Sequence, residues 1–370
     1  MKRLLRDPPV SAHAGQVAAV LKHARSIEHF VTSATSSTDI ADAIADPQLA
    51  GPKQLRALAM DVAQQLGAPM ISATEAYEAH VRHNVLLQTG LPVLDDALGG
   101  GLAAGEVTEI IGPSGAGKSQ LAFAMCAQQV ATTEGRALFI DTSCGFRAER
   151  FYHMMGVAAP KMPRDRRKER LGAQLEVRRA MTLPALLMAV DALGAELDAG
   201  GLSGLRLVLI DSVYSALVAE HTNISRSAAG AHVARLQQAL RRLAWHYHLA
   251  VVLVNSAVPV AKCDAAGRDQ PPSQQQIVGG HEEFWRPSLG LQWLHTADVR
   301  LALRPDPAAP PDALATPHLL SIIKCPTAAR KIAIADNCLA LEVTAAGVTG
   351  AARDGGVAGS RSSLDFKAWG

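Results

Sequence analysis

Hydrophobic residues follow two different spacings along this chain of 370 residues. From residue 106 onward, short and almost continuous apolar runs alternate with longer stretches in which apolar side chains recur at helical spacing. The runs predicted to be strands are 106–111, 137–141, 205–211 and 249–255, and the stretches predicted to be helices are 120–130, 183–197 and 228–247. Strands this apolar are typical of a parallel sheet that helices cover on both faces. The pattern therefore predicts an α/β fold.

The residues that precede this region have a different pattern. Residues 1–68 are rich in Ala, and their apolar side chains recur at helical spacing between breaks at Gly51-Pro52 and Gly67. We therefore predict a small N-terminal helical domain over 1–68, which a linker over 69–88 joins to the main domain.

The C-terminal part of the chain changes again. After Asp298 the predicted strands 299–303, 319–324 and 339–343 are short and are separated by turns, which indicates antiparallel pairing. We predict that these strands complete a main domain that spans 89–350. The last residues, 351–370, are rich in Gly, Ser and Ala and are predicted to be disordered.

Composition narrows the possible functions. The 36 Lys and Arg residues almost balance the 34 Asp and Glu residues, so any contact with nucleic acid must be local. The stretch 161–170 is basic and is predicted to be a solvated loop or the entry to a helix. The five cysteines form no C-x-x-C pair, which argues against a disulfide framework or a zinc site. No apolar run approaches the ~18–20 residues of a membrane span, and we therefore predict no membrane association.

Eight residues directly after the first predicted strand match the phosphate-loop pattern G-x-x-x-x-G-K-[ST] in full. They are Gly112, Pro113, Ser114, Gly115, Ala116, Gly117, Lys118 and Ser119. A strand precedes the motif and a helix follows it, so backbone N–H groups and the helix N-terminus are expected to bind a phosphate chain. In this arrangement Lys118 reaches the β- and γ-phosphates and the Ser119 hydroxyl is a ligand of Mg²⁺. The motif predicts a protein that binds ATP or GTP together with Mg²⁺.

Two acidic residues end neighbouring predicted strands. Asp211 ends the run 205–211 and is predicted to be the second Mg²⁺ ligand, because nucleotide hydrolysis requires an acid that holds the metal ion. Asp141 ends the run 137–141, where a role in the chemistry and the capping of a turn are equally good explanations.

The order of these motifs resembles the core of the RecA-type recombinases of eukaryotes and archaea over roughly residues 85–345. The matching segments are 89–101, 105–109, the phosphate loop, 139–142 with 146–150, 208–212 and 254–255. The resemblance implies a RecA-like P-loop ATPase core that binds ATP and Mg²⁺, with a mostly parallel sheet and antiparallel C-terminal strands. Segments 73–78 and 286–293 and the short N-terminal domain are similar to the D-type paralogue of the eukaryotic Rad-fifty-one family.

Several positions depart from the pattern of the active recombinases. Ser143 stands where those proteins carry the glutamate that activates the attacking water. Ser256 follows Asn255, where they carry a glutamine that couples the γ-phosphate to the DNA-binding loop. Met70, followed by Ala73, corresponds to the linker motif that inserts a Phe into the next subunit. The resemblance therefore implies no clear catalytic residue, weakened hydrolysis, and docking of Met70 and Ala73 on a partner subunit.

The segment Ala257–Leu291 is rich in Gln, Gly and Pro and follows the last apolar strand directly. It leaves the sheet at the carboxyl end of a strand, where ligands bind in open α/β sheets. Its cations Lys262, Arg268 and Arg286, with Trp293 close by in the sequence, predict contact with single-stranded DNA. An unstructured loop explains the same composition equally well.

These observations predict an ATP-binding recombinase paralogue. It is expected to be a subunit of a hetero-oligomer with other recombinase paralogues, to bind single-stranded DNA, and to support homologous recombination and double-strand-break repair in the nucleus. One alternative is an active strand-exchange ATPase, against which Ser143 and Ser256 argue. Another is a P-loop kinase for a small molecule, which leaves the lead-in to the phosphate loop and the antiparallel tail unexplained.

Overall fold

The computed structural model describes residues 56–60, 72–83, 85–218, 226–259, 285–289, 293, 295–306, 316–326, 338–344 and 347–350. The chain divides into two compact units, Met1–Ala79 and His80–Gly370. Of the predicted N-terminal domain, only the helical stretch 56–60 belongs to the described residues, and the predicted tail 351–370 lies outside them. The domain boundaries therefore stay predictions.

The described part of the chain alternates strands and helices, as the sequence pattern predicts. The helices are α1 (Ala73–His83), α2 (Pro92–Ala97), α3 (Lys118–Thr132), α4 (Ala148–Ala158), α5 (Arg164–Gln174), α6 (Leu183–Asp198), α7 (Val213–Val218) and α8 (Arg226–Tyr247). The strands are β1 (Leu86–Leu87), β2 (Leu102–Ala103), β3 (Val107–Ile111), β4 (Arg136–Asp141), β5 (Leu175–Arg179), β6 (Leu205–Asp211), β7 (Ala250–Val254), β8 (Ala257–Pro259), β9 (Trp285–Pro287), β10 (Val299–Pro305), β11 (Thr316–Lys324), β12 (Cys338–Val343) and β13 (Val348–Gly350). None of these helices has both the length and the apolar character needed to cross a membrane.

Within the described residues, nine strands form one sheet in the order β13-β12-β11-β10-β3-β7-β6-β4-β5. The strands from β10 to β5 are parallel, and β11, β12 and β13 continue the sheet with antiparallel pairing. Strand β10 thus joins the parallel and the antiparallel parts. This arrangement confirms the predicted fold class.

The sheet is covered on both faces, so its strands contribute to two separate cores. Helices α3 and α4 pack on one face, and helices α6 and α8 pack on the other. Neighbouring residues of one strand point to opposite faces: Leu209 belongs to the first core and Ile210 to the second. Both faces of the central strands are therefore apolar, which explains the continuous apolar runs in the sequence.

The basic stretch 161–170 forms most of α5, and two of its cations have structural roles. Arg170 is buried and donates hydrogen bonds to the carbonyl oxygens of Val130, Ala131 and Thr133, at the C-terminal end of α3. The Arg167 guanidinium lies 5.1 Å from the ring centroid of Tyr152. Since a cation stabilises the negative end of a helix dipole, Arg170 stabilises the helix that follows the phosphate loop. Of the two predicted alternatives, the structure agrees with the entry to a helix, but Arg170 is buried and not solvated.

Helix α1 lies inside the stretch that the sequence analysis treated as a linker. The Ser72 hydroxyl accepts a hydrogen bond from the N–H of Glu75, and the Glu75 carboxylate accepts one from the N–H of Ser72. This reciprocal pair is a capping box, which marks the start of a helix and was readable from the S-x-x-E spacing. The hydrogen bonds from Ser72 lower the pKa of Glu75. Ala73 is the exposed first residue of α1, and Met70 lies outside the described residues.

Candidate nucleotide-binding site

The phosphate loop connects the buried strand β3 to helix α3, and two of its glycines are required by the geometry. A side chain at Gly112 would collide with the carbonyl oxygen of Leu303 on the neighbouring strand β10. Gly117 has a φ of 80°, which favours glycine. A Cβ atom at Gly117 would lie 3.1 Å from Cγ2 of Val343 and 3.6 Å from Nε2 of His318. The C-terminal strands therefore form the back of the phosphate loop.

The front of the loop is open. Ser114 and Gly115 are exposed, and no heavy atom lies within 4 Å of the position that a Cβ atom of Gly115 would take. No side chain caps the N-terminus of α3, so the N–H groups of its first turn are available to a ligand. A helix N-terminus carries partial positive charge and favours an anion. The loop therefore fits a phosphate chain.

Three functional groups that the sequence predicts to act together, those of Lys118, Ser119 and Asp211, lie close to one another at the end of the loop. Burial raises the pKa of Asp211, a hydrogen bond from Ser119 lowers it, and Asp141 raises it further. Burial lowers the pKa of Lys118, and Asp211 opposes this shift. The Lys118 ammonium donates a hydrogen bond of 2.6 Å to the carbonyl oxygen of Pro113.

The directions of these pKa shifts are consistent with a site that binds a charged ligand. Burial shifts both Asp211 and Lys118 towards their neutral forms, because it removes part of the hydration of each charge. A ligand that brings a cation to the carboxylate and an anion to the ammonium would stabilise both charged forms at once. A nucleotide with Mg²⁺ has this composition, so the residues present fit both groups, and Ser119 and Asp211 are the residues that would hold the metal ion.

Asp141 is engaged in holding a turn. Its carboxylate accepts three hydrogen bonds of 3.1 Å, from the backbone N–H groups of Ser143, Gly145 and Phe146. Of the two explanations that the sequence left open, the structure supports the capping of a turn. Ser143 is exposed on this turn, at the carboxyl end of β4. The position that the resemblance aligns with the catalytic glutamate of the active recombinases therefore carries a hydroxyl on an exposed turn.

Arg150 contributes to the site, although the sequence analysis gave it no role. Its guanidinium donates two hydrogen bonds, of 3.0 and 2.8 Å, to the side-chain oxygen of Gln120 in the first turn of α3. It also donates one of 2.8 Å to the carbonyl oxygen of Thr344. Arg150 thus connects α4, the start of α3 and the end of β12. The available signal was its place in the segment 146–150, which matches the recombinases.

The four residues predicted to contact DNA have different positions: Trp293 is buried, Arg286 lies on a strand, and the other two are outside the described residues. Trp293 is fully buried, and its indole N–H donates a hydrogen bond of 2.6 Å to the Glu109 carboxylate. The prediction that Trp293 contacts DNA is therefore wrong, because the ring is part of the core under α6 and α8. Arg286 lies in β9, which pairs with β8. Lys262 and Arg268 lie outside the described residues.

Ser256 stands where the active recombinases are expected to carry a coupling glutamine. Among the described residues, the hydrogen bond that it makes to Asn255 comes from its backbone and not from its side chain. Its N–H donates a hydrogen bond of 2.8 Å to the side-chain oxygen of Asn255. The Asn255 amide nitrogen in turn donates a hydrogen bond of 2.7 Å to the Glu109 carboxylate. Asn255 is fully buried, so its amide is directed into the core.

The sheet order, the phosphate loop after β3 and the acid at the end of β6 define a RecA-like P-loop protein. A family model for Rad51 matches residues 81–304. The chain belongs to the Rad51 family.

Individual relatives are moderately similar. The chain is 29% identical to human DNA repair protein RAD51 homolog 2, over 59% of this chain and 60% of that protein. It is 28% identical to RAD51 homolog 4 of Bos taurus, over 68% of this chain and 71% of that protein. It is 30% identical to DNA repair protein XRCC3 of Bos taurus, over 62% and 66% of the two chains. Homologs 2 and 4 are about equally similar to the chain, so the assignment to the D-type paralogue stays a prediction.

Proposed function

We propose that this chain is an ATP-binding recombinase paralogue that supports homologous recombination and double-strand-break repair in the nucleus, as a subunit of a hetero-oligomer. Membership of the Rad51 family and similarity to three DNA repair proteins support the role in repair. Binding of MgATP is supported by one observation above all: Lys118, Ser119 and Asp211 meet at an open phosphate loop, with both charged groups desolvated.

The isolated subunit is expected to hydrolyse ATP slowly. Ser143 has no carboxylate that could accept the proton of the attacking water, and Asp141 is engaged by three backbone N–H groups. A positioned general base typically contributes ~10²–10⁴-fold to the rate. A partner subunit could still supply a missing group in trans, as arginine fingers do, so the expectation concerns the subunit alone.

Steady-state phosphate release from the purified protein tests this proposal. Lys118→Ala is the blank, and Ser143→Glu restores a carboxylate to an exposed position, where the substitution is tolerated sterically. We expect a very low wild-type rate and an increase in Ser143→Glu. A wild-type rate typical of an active recombinase, lost in Lys118→Ala, would mean that another residue supplies the base.

Single-stranded DNA is the second proposed ligand, bound through Lys262, Arg268 and Arg286. The support is the position of β8 and β9: the N–H of Ala257 donates to the carbonyl oxygen of Gly112 at 3.2 Å, so the strand that leads into this segment begins at the phosphate loop. Filter binding at several salt concentrations is the test. Replacing the three cations with Ala should weaken binding and make the salt slope shallower. An unchanged affinity and slope would contradict the assignment.

Partner docking through the start of α1 is the third element of the proposal. Tyr77 and Val81 are 68% and 55% exposed, and with Ala73 they recur at a spacing of i, i+4, i+8. An exposed apolar stripe of this kind is typical of a helix that binds in the groove of a partner. Met70 precedes the stripe and is proposed to belong to the same contact.

Co-purification with tagged paralogues tests the docking surface. Met70→Asp and Tyr77→Asp should each abolish capture of a paralogue, because they place an unpaired charge in an apolar contact. Thr74→Asp is the matched control, since Thr74 is exposed in the first turn of α1 but lies off the stripe. Capture that survives both stripe variants would mean that the contact lies elsewhere, while MgATP binding should persist in all three variants.

A further inference from the structure

Thr142 directly follows β4 and is almost completely buried, with 2% of its surface exposed. Its hydroxyl donates a hydrogen bond of 2.7 Å to the carbonyl oxygen of Ser212 and accepts one of 2.7 Å from the N–H of the same residue. Its own N–H donates a hydrogen bond of 3.0 Å to the carbonyl oxygen of Asp211. Thr142 therefore makes three hydrogen bonds, and all of them go to Asp211 and the residue that follows it.

These hydrogen bonds lie where the pairing of β4 with β6 ends. The two strands are parallel neighbours, and their last paired residues are Asp141 and Asp211. Thr142 continues the contact one residue beyond this pair, at the carboxyl end of the sheet. The backbone on the far side of Asp211 is therefore held to β4 by the Thr142 side chain, although the ladder itself has stopped.

Ser212 is held from a second direction, by α7. Its hydroxyl accepts a hydrogen bond of 3.2 Å from the N–H of Ser215 and lies 2.7 Å from the Ser215 hydroxyl. Ser212 thus caps the N-terminus of α7. The N–H and the carbonyl group of Ser212 are bound by Thr142 and its hydroxyl by Ser215, so the residue directly after Asp211 is fixed in one position.

Accurate placement matters for Asp211 because its carboxylate is buried. Burial raises the pKa of Asp211, and the hydrogen bond from Ser119 opposes this shift. The charged form therefore depends on a few groups that must be correctly placed around it. Groups that orient a metal ligand typically change metal affinity by about 10- to 100-fold when they are replaced.

We propose that Thr142 is a positioning residue of the metal site, which orients Asp211 towards Mg²⁺ through the backbone of Ser212. The Thr142 hydroxyl is occupied by Ser212 in both directions, as donor and as acceptor. Thr142 therefore acts through Asp211 and not by contact with the nucleotide. The inference rests on the proposed binding of MgATP.

The affinity for a fluorescent ATP analogue, measured with saturating Mg²⁺ and again with EDTA, tests this role. Thr142→Val keeps the shape of the side chain but removes the hydroxyl. It should weaken binding by about 10- to 100-fold with Mg²⁺ and leave binding in EDTA unchanged, because only the contribution of the metal ion passes through Asp211. Thr142→Ser keeps the hydroxyl and should retain the wild-type affinity under both conditions.

Thr89→Val is the matched control. Thr89 is also buried, with 1% of its surface exposed. Its hydroxyl likewise bonds both the carbonyl oxygen and the N–H of a single residue, Leu91, at 3.4 and 3.2 Å. The same chemical change is thus made outside the candidate nucleotide site, and this variant should bind the analogue as the wild-type protein does, with Mg²⁺ and with EDTA.

A third variant keeps the test decisive if Thr142→Val fails to fold. Thr142→Ala leaves room for a water molecule at the N–H and carbonyl groups of Ser212, so it avoids leaving them buried without partners. Thr142→Ala and Thr142→Ser both lack the methyl group, and their difference isolates the hydroxyl. With Mg²⁺, Thr142→Ala should bind the analogue more weakly than Thr142→Ser, because a water molecule is not attached to β4.

Several results would overturn the proposal. An equal loss of affinity with Mg²⁺ and with EDTA would show that Thr142 only supports the fold, and no loss under either condition would show that the hydroxyl is dispensable. A wild-type protein that binds the analogue equally well with and without Mg²⁺ would also overturn it, although the proposed nucleotide binding would stand. A wild-type protein that does not bind the analogue would overturn both.

Discussion

Asp211→Asn should stabilise the protein without nucleotide and weaken its response to MgATP. Burial raises the pKa of Asp211, and the neighbouring Asp141 adds to the shift. Asn can still accept the hydrogen bond from Ser119 and has nearly the same shape, but it brings no charge into the site. A charge buried for ligand binding often lowers the stability of the free protein, and its removal typically raises the free energy of unfolding by about 0.5–2 kcal/mol.

One thermal unfolding experiment compares the effect of the substitution on Tm with the effect of MgATP. At 100 times the dissociation constant, MgATP should raise the unfolding free energy of the wild-type protein by ~2.7 kcal/mol. For a domain of this size, 1 kcal/mol corresponds to roughly 2–4 °C in Tm, so the wild-type shift should be about 5–11 °C. Asp211→Asn should start about 1–8 °C higher and gain much less from MgATP, since one metal ligand has lost its charge. The rise in Tm on addition of MgATP should therefore be clearly smaller for Asp211→Asn than for the wild-type protein.

The pH dependence of Tm tests independently whether the buried charge of Asp211 causes the difference between the two proteins. A carboxyl group whose pKa is raised on folding contributes stability below its unfolded value, near 3.8, and this contribution is lost as the pH rises through the folded pKa. The advantage of Asp211→Asn over the wild-type protein should therefore be full at neutral pH and shrink as the pH falls towards 3.8. A lower Tm for Asp211→Asn without nucleotide at neutral pH would refute the reasoning, because it would mean that Lys118 more than offsets the burial of the charge.

Three further substitutions have clear expected outcomes. Arg170→Ala should lower the free energy of unfolding by about 1.5–3 kcal/mol, measured by urea denaturation, because it removes charged hydrogen bonds to the end of α3; an unchanged midpoint would mean that water replaces them. Gly112→Ala should abolish binding of a fluorescent ATP analogue, because its Cβ collides with the carbonyl oxygen of Leu303, and retained affinity would show that β10 can move away. Trp293→Ala should cost about 3–5 kcal/mol in stability, and a loss of DNA affinity without that cost would restore the role in DNA binding.

Continuous apolar runs made the centre of the fold predictable from the sequence. The run 205–211 coincides with β6, the prediction for β3 begins one residue too early, and the prediction for β7 is one residue too long at each end. Strand β5 was missed because its sequence Leu-Glu-Val-Arg-Arg is half polar and only partly buried at the side of the sheet. Its signal is weak for a physical reason: one of its edges has no neighbouring strand among the described residues.

The site was predictable where its chemistry is local in the sequence. The phosphate loop and Asp211 could be proposed as site residues because a short motif and a strand end carry them, and the structure brings Asp211 within hydrogen-bonding reach of Ser119. Trp293 was misjudged because its partner, the Glu109 carboxylate, is 184 residues away in the chain. Nearby cations suggested stacking with DNA, and only the folded structure places the ring in the core. The role of Arg170 was hidden for the same reason, since the carbonyl groups that it binds at the end of α3 lie 37 to 40 residues earlier in the chain.

The back of the phosphate loop has a consequence for protein synthesis. Leu303, His318 and Val343 close the loop from behind, yet the ribosome makes them long after the loop itself. A chain that has just left the ribosome as far as β7 would therefore carry the complete motif but not the complete binding site. Since domains form as units and contacts distant in sequence form late, the proposed nucleotide site is complete only once the C-terminal strands have joined the sheet. A bound nucleotide would then stabilise full-length chains but not truncated ones.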